Sequence, residues 1–364
     1  MEHARLTAAR EAVRSAGLDA LLVGPSADLR YLVGYDAHAM ERLTLLVVPA
    51  AGDAWLLVPA LEEAAAHASG AGELVEVRTW GETEDPVARV VAALQGDGPP
   101  RALAVGDRLF SVFTLALQEA LPTTAFRPAG PVLRALRIRK DPAELAALRA
   151  VGAAIDAVHA QVPGLLRPGR TEAEVARDLG ELILADHDEV AFIIVGSGPN
   201  GASPHHAVSD RVLAPGDAVV VDIGGVRDGY CSDMTRNYAV EYLPPGYAEL
   251  HTVLEQAQDT AVQRVAPGVP AAEIDAAARE VISAAGYGER FIHRTGHGIG
   301  VDVHEHPYIV GSNPEPLAAG MAFSVEPGIY VPGRYGARIE DIVLVTEDGV
   351  ERVNHRPRTV LLAG

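Results

Sequence analysis

The chain has 364 residues, 48% hydrophobic and 22% charged, with a formal net charge of −19. That length suits two domains rather than one, and the acidic balance excludes nucleic acid and anionic membranes as expected partners, since both demand a basic face. The one cysteine, Cys231, rules out an intrachain disulfide or a cysteine zinc cluster and leads us to expect a reducing, cytoplasmic setting.

The opening MEHARLTAAREAVRSAG has no apolar segment, so no secretory signal is expected. No stretch approaches about 18 uninterrupted apolar residues, so no membrane span is expected. ARLTAAREAVRSAG reads as a helix ending at Gly17, and DALLVG as a strand. LTLLVVPA and DAWLLVP form a hairpin pair around Ala51 and Gly52. LEEAAAHA and DPVARVVAALQ read as helices, RALAVG as another strand, and GDGPP and RPAGP as loops. Nothing here assembles a catalytic set. Residues 1–136 are therefore expected to form an α/β domain with a structural or dimerising role. Of the 30 basic residues only Lys140 is a lysine, which reads as genomic bias.

The second domain, residues 137–364, opens with a long helix in DPAELAALRAVGAAIDAVHAQV. Asp141 is placed to cap it, Pro142 suits its first position, and Glu144 completes a capping box. Leu145, Leu148, Ile155 and Val158 make one apolar face. TEAEVARDLGELILAD repeats the signature, with Thr171 and Glu174 as its box. VGSGPNGASPHHAVSD follows as a long polar loop carrying His205 and His206; loops of this length are often functional.

Two later segments match. PGDAVVVDIG (Pro215–Gly224) and AGMAFSVEPG (Ala319–Gly328) align Asp222 with Glu326. Each continues to a turn and a second acidic strand, YCSDMTR with Asp233 and ARIEDIVLV with Glu340. The domain therefore reads as two half-units, each a hairpin with one carboxylate per strand. A two-residue turn at Asp228 and Gly229 sets Asp222 opposite Thr235 and makes Asp233 its diagonal neighbour on the same face. Glu326 and Glu340 are centred on Gly333, and direct opposition puts both on one face. Four carboxylates facing one another in apolar surroundings need counter-charge, which two divalent cations supply. Between the hairpins lies HRTGHGIGVDVHEHPYI. His297, flanked by Gly296 and Gly298, is the expected imidazole ligand, and His304 follows in a β-like stretch. The string is not HExxH, so a helical zinc site is excluded. Such hard, oxygen-rich donors suit Mn²⁺ or Co²⁺, or Zn²⁺ in a mixed site.

VVVDIGG, YCSDMTR, GHGIGVDVHE, FSVEPGIY and ARIEDIVLV together resemble the pita-bread (M24) metallopeptidases, a family that includes methionine aminopeptidase, aminopeptidase P and prolidase. All five ligand positions match. ADLRYLVGYD resembles a stretch of the creatinase/prolidase N-terminal domain, with departures at Ala27 and Tyr35. The resemblance implies an α/β N-terminal domain and an α+β pita-bread catalytic domain with a pseudo-twofold repeat. It implies that Asp222 chelates one metal, that His297 and Glu326 are terminal on the other, and that Asp233 and Glu340 bridge both. A water between the ions is then the nucleophile, and Glu326 can take its proton. His304 hydrogen-bonds the substrate amide or the oxyanion. His205, directly after Pro204, touches substrate, with a slip to His206 the alternative. Arg338 orients a bridging carboxylate or a substrate carboxylate. The implied reaction is hydrolysis of the bond before proline, in Xaa-Pro dipeptides first and in longer peptides (aminopeptidase P) as the alternative. A metal-free creatinase-like enzyme and a non-catalytic binding protein are disfavoured by the intact ligand set. A homodimer is expected from the resemblance alone.

Overall fold

Near-continuous apolar runs mark strands buried on both faces, and the computed structural model, which describes residues 2–96 and 98–364, places them so. The chain divides into two compact units that part between Arg137 and Ile138. In the first, six strands lie in the order Glu76–Trp80, Trp55–Pro59, Leu45–Pro49, Ala20–Val23, Ala102–Val105 and Ala125–Pro128. The expected hairpin pairs Leu45 with Leu57. Leu22, Val47, Leu57 and Leu103 are buried in the core beneath the helices.

Four helices of this unit, Ala27–Val33, Ala71–Leu74, Ser111–Ala120 and Gly130–Arg137, and two strands, Glu76–Trp80 and Ala125–Pro128, were not apparent in the sequence. The RPAGP loop is a correction: Arg127 and Pro128 end a strand, Gly130 and Pro131 begin a helix, and Ala129 alone joins them. A largely exposed edge strand tolerates a proline, and the first helical turn does too, so both look like loop punctuation. Asp97, in the GDGPP stretch, lies outside the described residues.

The second unit is built twice over. Helices Pro142–His159 and Glu172–Leu184 lead into strands Glu189–Ser197, Ala218–Arg227 and Met234–Val240; helices Tyr247–Arg264 and Ala271–Ala284 lead into Gly296–Gly298, Glu305–Ile309, Ala322–Val325 and Asp341–Val345. Both expected capping boxes form, at Asp141 with Glu144 and at Thr171 with Glu174. The stretch Pro142–Leu165 is long and apolar enough to cross a membrane by length and composition. Here its first helix is a core helix, with Leu148, Val151, Ile155 and Val158 buried. The polar stretch after it starts as strand, since Glu189–Ser197 runs into it, and then turns through a short 3₁₀ segment, Gly198–Ala202.

Strand alternation explains the buried acid. Val219, Val221 and Ile223 point into a core shared with Ile155, Leu179 and Ile183. Asp222, between them, points to the opposite face. In the other half-unit Phe323, Val325, Val343 and Val345 fill a second core with Leu254 and Ile274. The turn at Asp228 and Gly229 has positive φ at both residues, 51° and 78°, and it fixes the predicted pairing of Asp222 with Thr235. In the second hairpin Val325 pairs with Asp341, and Gly328 with Arg338. Both pairings keep one register, which centres Glu326 and Glu340 on Gly333 across the gap between the two ladders.

Candidate active site

The two hairpins deliver their acids to one cavity of about 710 Å³. All eight residues singled out from sequence line it: His205, Asp222, Asp233, His297, His304, Glu326, Arg338 and Glu340. Asp222, Asp233, His297 and Glu340 are buried. Donor atoms of Asp233, His297 and Glu340 all lie within 4.8 Å of one another. His297 Nε2 is 3.3 Å from Glu326 Oε1 and 3.6 Å from Asp233 Oδ2.

The glycines around His297 are needed for approach rather than turning. A Cβ on Gly296 would lie 1.8 Å from the Ser324 carbonyl oxygen, and one on Gly298 would lie 2.2 Å from that of His306. Only glycine lets this short strand sit between its neighbours. Ser324 ties the pieces together: its Oγ accepts from the His297 N–H at 3.0 Å and donates to Glu326 Oε1 at 3.1 Å.

His297 Nδ1 is 3.1 Å from the Gly298 carbonyl oxygen, to which it donates. Burial, with His304 beside it, lowers its pKa to about 3. The ring is therefore neutral, and Nε2 turns a bare lone pair toward two carboxylates. Asp222 Oδ1, Asp233 Oδ1 and Glu340 Oε1 are buried with no hydrogen-bond partner. Burial pushes the Asp233 and Glu340 carboxyls well up, and Glu340 and Glu326 respectively push them further. Burial raises Glu326 to about 7 against the opposing pull of Arg338. Converging acceptors without donors fit a bound cation and fit little else. The donor set is carboxylate and imidazole oxygen and nitrogen, as hard divalent metals require.

Two family descriptions match the chain: metallopeptidase family M24 over residues 146–347, and the Creatinase/Prolidase N-terminal domain over residues 5–139. The chain belongs to metallopeptidase family M24. It is 52% identical over 361 residues to a protein of Mycobacterium bovis named probable dipeptidase PepE, covering 98% of this chain and 96% of that protein. It is 34% identical over 335 residues to the Xaa-Pro dipeptidase of Lactobacillus helveticus, covering 90% of each. The crystal structure of dipeptidase PepE from Mycobacterium ulcerans superposes with a TM-score of 0.94 at 53% identity, covering 99% of this chain and 97% of that one. The fold is that of an M24 enzyme: a creatinase-type N-terminal domain and a pita-bread catalytic domain.

Within this M24 site two expectations need adjusting, and a third, His205 over His206, stands. Arg338 is buried and committed to the protein rather than to a substrate carboxylate. Its Nη2 donates to Asp222 Oδ2 at 2.6 Å, its Nε to Thr235 Oγ1 at 3.1 Å, and its Nη1 to Tyr330 Oη at 2.9 Å and Pro204 O at 3.2 Å. The carboxylate it holds is Asp222, not Asp233 or Glu340, the acids expected to bridge. His304 sits in a bend, not in a strand, which begins only at Glu305. Its ring stands edge-on to His297 with centroids 4.2 Å apart. Finally, His205 rather than His206 lines the cavity; His206 Nε2 lies 2.8 Å from Glu172 Oε2, outside it.

Other residues line the cavity, most without a mark in the sequence. Phe192, Ile194 and Val303 give the cavity an apolar wall, and Arg294 also lines it. His293 bonds Tyr330 Oη at 2.8 Å, and burial lowers its pKa to about 4. Its place in HRTGHG was the signal for it.

Proposed function

We propose that the chain hydrolyses the peptide bond before proline in Xaa-Pro dipeptides, using two divalent cations. The observation that carries this reading is the set of three buried, unpartnered carboxylate oxygens beside the bare His297 nitrogen. Asp222 would hold one cation, His297 and Glu326 the other, and Asp233 and Glu340 both. Cations held there supply the positive charge that a water nucleophile and a scissile carbonyl require at neutral pH. Hard donors favour Mn²⁺ or Co²⁺, with Zn²⁺ a third choice.

The chain's own groups do the rest. Glu326 accepts the proton of the attacking water. His304 donates to the carbonyl oxygen as charge builds on it. His205 contacts substrate from the cavity wall, and Phe192, Ile194 and Val303 shed water from the substrate's apolar parts. Relatives named dipeptidase and Xaa-Pro dipeptidase support the substrate choice. The test is direct. Chelated protein should be inert, and reloading with Mn²⁺, Co²⁺ or Zn²⁺ should restore hydrolysis of Ala-Pro. Preference for Ala-Pro-Ala over Ala-Pro would replace the dipeptidase reading with that of an aminopeptidase.

A further inference from the structure

Glu172 is the first residue of the helix Glu172–Leu184, and it is completely buried. A carboxylate at a helix N-terminus is normally solvated and modestly stabilising. This one gathers a whole loop. Oε1 accepts from Ser197 N at 2.8 Å, Ser197 Oγ at 2.7 Å and Asn200 Nδ2 at 3.1 Å. Oε2 accepts from Ser209 Oγ at 2.6 Å, His206 Nε2 at 2.8 Å, Asn200 Nδ2 at 3.2 Å and Ser209 N at 3.3 Å. An ionised carboxylate only accepts, so His206 Nε2 carries the proton. The partners begin at Ser197 and end at Ser209, so the intervening segment is drawn closed around one side chain.

His205 projects from that segment into the cavity. Its two neighbours are both tethered. The Pro204 carbonyl accepts from Arg338 Nη1 at 3.2 Å, and the His206 ring is held by Glu172. Arg338 in turn grips Asp222. The loop is thus fixed at one side to the acidic cluster and at the other to a buried carboxylate that touches neither cavity nor ligands.

We propose that Glu172 is a positioning residue for the reaction: through His206 and Ser209 it holds His205 at the angle from which it meets substrate. The inference rests on the substrate role given to His205 above. Glu172→Gln retains the shape but offers one acceptor oxygen where two are needed. The loop then loses one of its anchors, and a displacement of about 1 Å at a substrate-contacting group costs up to ~100-fold in rate.

The experiment is a double-mutant cycle in metal-loaded protein with Ala-Pro as substrate. Glu172→Gln should lower kcat/KM by about 10- to 100-fold while metal content stays at the wild-type value. His205→Ala should give a loss of similar size, and adding Glu172→Gln to it should change little further. A purely structural carboxylate would not produce that non-additivity. Should Glu172→Gln fail to fold, His206→Gln and His206→Ala carry the same test. The first keeps an N–H for Glu172 and should retain near-wild-type kinetics; the second should lose as much as His205→Ala. Additive losses, wild-type activity in Glu172→Gln, or metal lost with activity would each overturn the inference alone. Wild-type kinetics in His205→Ala would overturn the role of His205 and the inference with it. Failure of every variant and the wild type on Ala-Pro would instead sink the substrate reading.

Discussion

Arg338 grips one oxygen of Asp222 and leaves the other bare: Nη2 donates to Oδ2 at 2.6 Å, while Oδ1 is buried without a hydrogen-bond partner. The guanidinium therefore both orients the carboxylate and lends the acidic cluster its nearest fixed positive charge. Arg338→Met should destabilise the chelated protein by about 3–5 kcal/mol, the usual result of stranding a buried charge. Metal-loaded protein should lose clearly less, because the ions take over part of the compensation. Urea unfolding with and without chelator measures both, and equal losses would contradict the account.

Asp233→Asn and Glu340→Gln remove charge from two acids whose donor atoms lie within 4.8 Å of that of His297. Each should reduce bound metal after dialysis and lower activity by at least about 100-fold. Elemental analysis alongside kinetics checks this. Full metal content with either variant would show that the acid is not a ligand.

His304 lines the cavity beside His297. His304→Ala should keep its metal and lose about 100- to 1,000-fold in kcat, as loss of an oxyanion donor does. Metal lost from this variant, and retained in His297→Ala, would mean the two histidine roles are exchanged.

Glu326 should make metal-free protein less stable as pH rises, measured against Glu326→Gln. Glu326 is raised by burial from 4.5 to about 7, and Asp233 and Glu340 are raised as well. An acid whose folded pKa exceeds its unfolded value favours folding while protonated and loses that benefit as it ionises. Chelated wild-type protein should accordingly lose stability relative to chelated Glu326→Gln between about pH 4.5 and 7. Denaturation midpoints of the two across that range decide it; a constant difference, or one that moves the other way, would refute the prediction.

Lys140 has a structural part that composition did not reveal. Its Nζ lies 2.7 Å from Glu305 Oε1, both side chains buried, next to His304 in the chain. Lys140→Met should cost about 3–5 kcal/mol and Lys140→Met with Glu305→Met substantially less, since the pair then leaves together. Unfolding of both variants is the check.

What the sequence disclosed follows from local rules. The Asp-Gly turn fixes a register, and the register fixes the face on which Asp222, Thr235 and Asp233 stand. The capping boxes at Asp141 and Thr171 are equally local. The contacts made by Arg338, Glu172 and His206 are different in kind. Each depends on partners far along the chain, Asp222, Ser197 and Pro204 among them, and no periodicity marks such contacts. The edge strand Ala125–Pro128 was hidden because its proline and exposed side chains mimic a loop.

Neither half-unit owns the whole of the proposed ligand set. One contributes two aspartates, the other a histidine and two glutamates, and the strand Leu361–Ala363 crosses back to pair with Met234–Val240. Proteolytic nicking in the 241–246 connection would leave every donor atom present in the mixture. Yet the centre would exist only when the fragments found each other again, and its occupancy would then depend on dilution.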